Sequence, residues 1–203
     1  MLLPTFAFDA SELPEAERFP AFAAHVANSR ATRPTDSGPF LAEVRCWMMD
    51  PLLISEHRLG AFSFERDAAM VRSTPADHYQ LVVVLDGTLR FPRPGGDLLV
   101  EAGGASLTDL TRPETMHASP NRGIQIQIAR WFLDEALAPV DVHGPLPRTP
   151  AVKVLVDFVT ALTTQLPEMP LTSALPMARV IRDLLANALS GMPPRPGPAD
   201  GHV

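Results

Sequence analysis

Lysine is nearly missing from this sequence. Lys153 is the only one among 17 basic residues, set against 23 acidic residues for a net charge of -6. That balance argues against a nucleic-acid-binding surface, because affinity for duplexes comes largely from Lys and Arg on phosphates. Cysteine is equally scarce. Cys46 stands alone, so no intrachain disulfide and no Cys-x-x-Cys motif is available, which fits a reducing, cytoplasmic setting. Long apolar runs are absent too. The longest, Leu81 to Leu85, has five residues where a membrane helix needs about 20, so no membrane partner is expected. Met1 to Phe8 carries no basic residue, which removes the secretory-signal pattern. Neither Gly-x-Gly-x-x-Gly nor Gly-x-Ser-x-Gly occurs, so the paired glycines Gly95-Gly96 and Gly103-Gly104 read as turns rather than phosphate loops.

What the chain does have is proline, 22 in 203 residues, about twice the usual ~5%. Many turns and short elements follow, hence a β-rich architecture rather than a helical bundle. With 46% hydrophobic and 20% charged residues the composition is that of a globular domain with its own core.

The periodicity predicts a helix over 11–28, capped by Ser11, with Phe19, Phe22 and Val26 on its apolar stripe, and then a loop over 30–39. Strands are expected over Leu41–Met49, Leu59–Phe64 and Ala69–Ser73. Tyr79–Leu85 and Thr88–Phe91, joined by Asp86-Gly87, read as a two-residue hairpin. Asp97–Val100 and Ala105–Leu110 are further strands, with a loop through Pro113 and Pro120. Ile124 to Trp131 alternates strictly, as a half-buried strand does. Two amphipathic helices follow, one from Val152 to Leu166 and one from about Ser173 to Ser190, before a proline-rich tail. The chain therefore divides into an N-terminal arm and helix (1–38), a β-barrel (39–138), a linker and C-terminal helical pair (139–191) and a flexible tail (192–203).

Order and spacing resemble the N-terminal sensor domain of AraC-type transcription regulators. The resemblance rests on Leu13-Pro-Glu-Ala-Glu-Arg-Phe19, Val71-Arg72-Ser73, Asp77-His-Tyr-Gln-Leu-Val-Val-Val-Leu-Asp-Gly87, Gly104-Ala-Ser-Leu-Thr-Asp-Leu-Thr-Arg-Pro113 and Ile128-Ala-Arg-Trp-Phe-Leu-Asp-Glu-Ala-Leu137, and spans about residues 11–190. It implies an α+β, mainly β fold: a cupin-like jelly-roll barrel with an N-terminal helix and a C-terminal antiparallel helix pair. It also implies a small-molecule effector held in the barrel, and a homodimer or a heterodimer with a related regulator. The helix-turn-helix unit of such regulators would begin where the chain stops at Val203, so no DNA-binding residue is carried over and no direct nucleic-acid contact is expected.

The site residues follow from strand parity. Val82, Val84, Leu89 and Phe91 are placed inward because Arg90 shares the opposite face. Gln80 and His78 then point inward near the barrel mouth. His117 and Trp47 are further ligand candidates, each combining apolar bulk with one hydrogen-bonding tip; Trp47 serves equally as plain core. His78 and His117 are a partial echo of the cupin metal motifs, but two ligands do not make a site, so no metal, cofactor or catalytic residue is expected. Cys46, inside an apolar strand, reads as an inert buried thiol. On the C-terminal helices Leu155, Val159, Leu162 and Leu166 form a stripe that makes either a dimer contact or ordinary intrachain packing. The alternatives to a sensor are a free-standing cupin-like enzyme acting on a small organic substrate and an interaction protein that binds only a homologous subunit.

Overall fold

The computed structural model describes residues 1–26, 31–36, 38–137 and 140–192. In chain order they form β1 (Thr5–Asp9), α1 (Glu15–Val26), β2 (Ala31–Pro34), β3 (Ala42–Met49), β4 (Leu52–Leu59), β5 (Phe62–Arg66), α2 (Ala68–Ser73), β6 (His78–Asp86), β7 (Thr88–Phe91), β8 (Leu98–Glu101), β9 (Ala105–Asp109), β10 (Glu114–Ala118), β11 (Asn121–Ala129), α3 (Arg130–Asp134), β12 (Gly144–Pro145), α4 (Pro150–Thr163) and α5 (Ala174–Leu189). A seven-stranded sheet runs β1-β3-β4-β11-β6-β9-β12 and a five-stranded sheet runs β2-β5-β10-β7-β8. The two lie face to face, and α4 and α5 cover the outside of the larger one.

Strand parity explains this layering. Along β11, Ile124, Ile126 and Ile128 are each 0% exposed and share one apolar cluster with Leu155, Val159, Ile181 and Leu185 of the covering helices. Trp47, Leu81, Val83 and Leu107 join the same cluster from β3, β6 and β9. A second, smaller cluster lies between the sheets. There Phe62, Phe64, Leu89, Phe91 and Met116 of the five-stranded sheet meet Val82 and Val84 of the other, with Phe22 and Phe40 at the edge.

Several local expectations need correction. Asp86-Gly87 is not a hairpin: β6 pairs with β11 and β9, while β7 pairs with β10 and β8. The turn is a corner that carries the chain from one sheet to the other. Gly87 sits at φ +84°, where a Cβ would lie 2.4 Å from the Pro120 carbonyl oxygen, so the corner requires glycine twice over. The residues expected to form loops at 30–39 and 111–120 contain the strands β2 and β10, both paired to β5. The strand expected at Ala69–Ser73 is helix α2, because the Asp67 carboxylate accepts from the Met70 amide at 2.7 Å and caps it. At the N-terminus Ser11 lies in a separate 3-10 turn, Ala10–Glu12, which Asp9 starts by accepting from the Ser11 amide at 2.8 Å; α1 begins only at Glu15. The strand β11 stops at Ala129, and Trp131 lies in α3 with 63% exposure. Residues 27–28 of the expected first helix and 193–203 of the expected tail lie outside the described residues.

The helical stripe packs within the chain. Leu155, Val159 and Leu166 are 0% exposed and Leu162 is 6% exposed within the single chain. All four belong to the cluster against the seven-stranded sheet.

Candidate functional site

Between the sheets lies a cavity of about 120 Å³ whose two walls differ in chemistry. The five-stranded sheet contributes an apolar wall of Phe62, Phe64, Leu89, Phe91 and Met116. The seven-stranded sheet contributes a polar one, and its register shows why. Gln127, Gln80 and Thr108 are direct partners across β11, β6 and β9; Ser55, Gln125, Val82 and Ser106 form the adjacent row from β4 to β9. Residues two apart share a face. The isoleucines of β11 therefore serve the helical layer while its glutamines line the cavity.

The third row pairs His57 with Gly123, and Asn121 lies one row further on, opposite Leu59. The Asn121 side-chain amide donates to the Ser119 carbonyl at 2.8 Å, which leaves its oxygen for His57 Nε2 at 3.2 Å. With that oxygen accepting, Nε2 is the protonated ring nitrogen. Gly123 makes room for the ring: a Cβ there would lie 2.9 Å from His57 Nε2 and 2.8 Å from the Val83 carbonyl oxygen. Cys46 also lines the wall, and burial pushes its thiol up to about 11, so it is protonated and no nucleophile at neutral pH.

Helix α1 closes the open edge between the sheets. Phe22, His25 and Val26 face the cavity from it, and Phe22 packs against Phe40 and Phe62 with ring centroids 5.2 and 5.8 Å apart. His25 is stacked on Phe8 of β1 at 5.4 Å, with the ring planes 11° apart.

Of the four ligand candidates, Gln80 lines the cavity, as do the inward-facing Val82, Leu89 and Phe91. His78 is half-buried in a neighbouring open depression that shares Phe6, Leu53 and Gln127 with the cavity. Trp47 is 1% exposed on the opposite face of its sheet, in the core beneath the helices; its neighbour Cys46 takes the cavity side. His117 points away, since Met116 and Ala118 fill the inner face of β10. The structure thus does not bring the four together. Sequence reasoning missed Ser55, His57, Ser106, Thr108, Asn121, Gln125 and Gln127. The signal was present in the polar positions of β9 and β11, which share parity with a strand face already read as inward.

Residues 20–190 match the AraC-binding-like domain. The chain belongs to this family. Among solved structures, this AraC-binding-like chain is similar to the AraC-like transcriptional activator CuxR. Identity is 21% and the TM-score 0.83, over 97% of this chain and 73% of that one, a likeness that establishes the cupin-like fold. A Cupin 2 conserved barrel domain protein from Salinispora arenicola overlaps 53% of the chain and 82% of its own at 11% identity and a TM-score of 0.32. An HTH_3 family transcriptional regulator from Vibrio cholerae overlaps 58% of the chain and 65% of its own at 14% identity, also with a TM-score of 0.32. Both likenesses are too loose to support more than their mention. No curated protein matches the sequence. No described helix of the AraC-binding-like chain is long and apolar enough to cross a membrane.

Proposed function

We propose that this chain is the effector-sensing domain of a cytoplasmic AraC-type transcription regulator, without enzymatic activity, which reports occupancy of its cavity to a DNA-reading unit. The observation that carries this reading is the two-faced cavity between the sheets, lined at its edge by a helix of the N-terminal arm. The same arm supports a transmission route. The Leu3 amide donates to the Met169 carbonyl at 3.1 Å and the Leu171 amide to the Met1 carbonyl at 2.9 Å, both between α4 and α5. Three and five residues beyond Leu3, β1 supplies Phe6 to the cavity and Phe8 to the His25 stack. One short segment therefore touches the cavity, its closing helix and the helical layer. Phe22, His25 and Val26 of α1 line the cavity, so a guest that fills it bears on that helix. The ligand then favours one arrangement of arm and helices by its differential affinity for it.

The same reading includes a dimer, of two copies or with a related regulator. Its contact falls to the outward faces of α4 and α5, where Val154, Leu175 and Val180 are 54%, 43% and 41% exposed.

The test uses Cys46, the chain's single thiol, as a reporter inside the cavity. Small organic molecules are screened for a rise in Tm, and each hit is re-read by the rate of Cys46 alkylation at pH 9. Hits are expected to slow alkylation several-fold. A screen whose hits all leave that rate unchanged would place the binding elsewhere and end the sensor reading of the cavity.

A further inference from the structure

We propose that molecules enter the cavity from the open depression beside it, past Phe6 of β1, and that the bulk of this side chain sets the size of what the cavity admits. The inference rests on the reading of the cavity as the ligand site and adds its entrance and its size filter.

The sheet register makes cavity and depression one surface. On the inner face of the seven-stranded sheet, Phe6, Cys46, Ser55 and Gln125 are partners across β1, β3, β4 and β11, and all four line the cavity. In the next row Met48, Leu53, Gln127 and Gln80 are partners across β3, β4, β11 and β6. Met48 lines the depression, Gln80 the cavity, and Leu53 and Gln127 line both. One row further out, Ala129 and His78 are partners in the wall of the depression. The cavity floor therefore continues outward along β11 from Gln125 to Ala129, a distance of about 13 Å.

Phe6 is the third residue common to both spaces, and it is the one free to move. Leu53 and Gln127 sit on β4 and β11, strands paired on either side, whereas β1 stands at the edge of the sheet beside β3. Phe6 is 41% exposed, and its ring meets His25 of α1 edge-on with centroids 6.3 Å apart. A side chain so exposed changes rotamer within nanoseconds, so the aperture widens without displacing a strand or a helix. Met48, also exposed, adds a second flexible apolar side chain on the approach. The way in beneath α1 is held differently. Phe22 is buried, with its ring packed on Phe40 and Phe62, so lifting α1 takes a buried aromatic side chain into water.

Cys46 supplies the test, because it lines the cavity as the direct register partner of Phe6. Its alkylation reads arrival inside the cavity with no ligand present. Initial rates are compared on the full chain at pH 9, well below Tm, for iodoacetamide and for its bulkier N-phenyl derivative, iodoacetanilide. The ratio of the two rates is the readout. A change in the thiolate fraction moves both rates together, whereas a wider aperture favours the bulkier reagent. Phe6→Ala is expected to raise the iodoacetanilide-to-iodoacetamide ratio several-fold and Phe6→Trp to lower it, both with Tm within a few degrees of wild type. Phe19→Ala, which loosens the seat of α1 on Phe40, is expected to leave the ratio unchanged. An unchanged ratio in Phe6→Ala, or an equal rise in Phe19→Ala, overturns the proposal, as does a thiol closed to both reagents in every variant. None of these outcomes involves a ligand, so the entrance can be wrong while the ligand-site reading stands; that reading falls only if no hit from the screen protects Cys46.

Discussion

Glu114 shows how a single side chain is held ionised inside this fold. Burial alone would raise its pKa, since the carboxylate is 1% exposed at the start of β10. A hydrogen bond from His143 Nε2 at 3.1 Å and two from the Arg93 guanidinium at 2.9 Å each outweigh burial and bring it down to about 2. The histidine is oriented from its other side, where the Asp109 amide donates to Nδ1 at 3.2 Å and leaves the ring proton on Nε2. The folded pKa thus lies below the unfolded value near 4.5. Its stabilisation is complete above pH 4.5 and is lost as the pH falls toward 2. The gap corresponds to about 3 kcal/mol. Glu114→Gln is expected to lose about 2–3 kcal/mol at pH 7 and to flatten the acid limb. Urea midpoints measured between pH 7 and pH 2.5 check this: wild type and variant should converge on acidification. Parallel curves would show that Glu114 plays no part in acid unfolding.

At the scale of elements, the C-terminal helices separate two roles that a stripe of leucines cannot. Leu155→Ala removes a fully buried side chain and is expected to cost about 2–5 kcal/mol while leaving the sedimentation coefficient of the remaining folded protein unchanged. Val180→Asp, on the outward face of α5, is expected to leave Tm within a few degrees and to shift the proposed dimer toward monomer at tens of micromolar. Equal sedimentation of Val180→Asp and wild type would remove that face from the contact. The same distinction sets what could be read from the sequence. Periodicity located β11, α4 and α5 because alternation and the 3.6-residue repeat are local. It could not say which face of β11 met solvent, because an assembled second sheet turns the glutamine side into a cavity wall. Nor could Asp86-Gly87 reveal its role. A glycine at positive φ serves a hairpin and a sheet-to-sheet corner equally, and only the partners of β6 and β7 tell them apart. His57 stayed hidden for a similar reason: Glu56 and Arg58 on either side mask the alternation of β4. Trp47 and Cys46 show the limit most sharply, since adjacent residues of one strand go to different cores.

For the molecule as a whole, the larger core does not respect the division at residue 138 that composition draws. Trp47, Ile54, Leu81 and Ile126 of the barrel share it with Leu155, Val159, Ile181 and Leu185 of the helices. Removing the helices would strip the cover from a sheet face built of isoleucine, leucine and valine, leaving an apolar patch no soluble monomer tolerates. Polar links cross the same boundary. Arg182 of α5 donates to the Glu135 carboxylate at 3.1 Å, and the Leu146 amide donates to the Ala105 carbonyl of β9 at 2.9 Å. Barrel and helices are therefore expected to unfold as one unit. The check uses two probes on one denaturation curve: far-ultraviolet circular dichroism for the helices, and the emission of Trp47 in a Trp131→Phe background for the sheet–helix interface. A single shared midpoint is expected. Helical signal lost at lower denaturant than the Trp47 shift would mean that the helices detach first. The arm that ties Met1 and Leu3 to the α4–α5 connection would then have no rigid layer to act on, and cavity occupancy would need another route out of the domain.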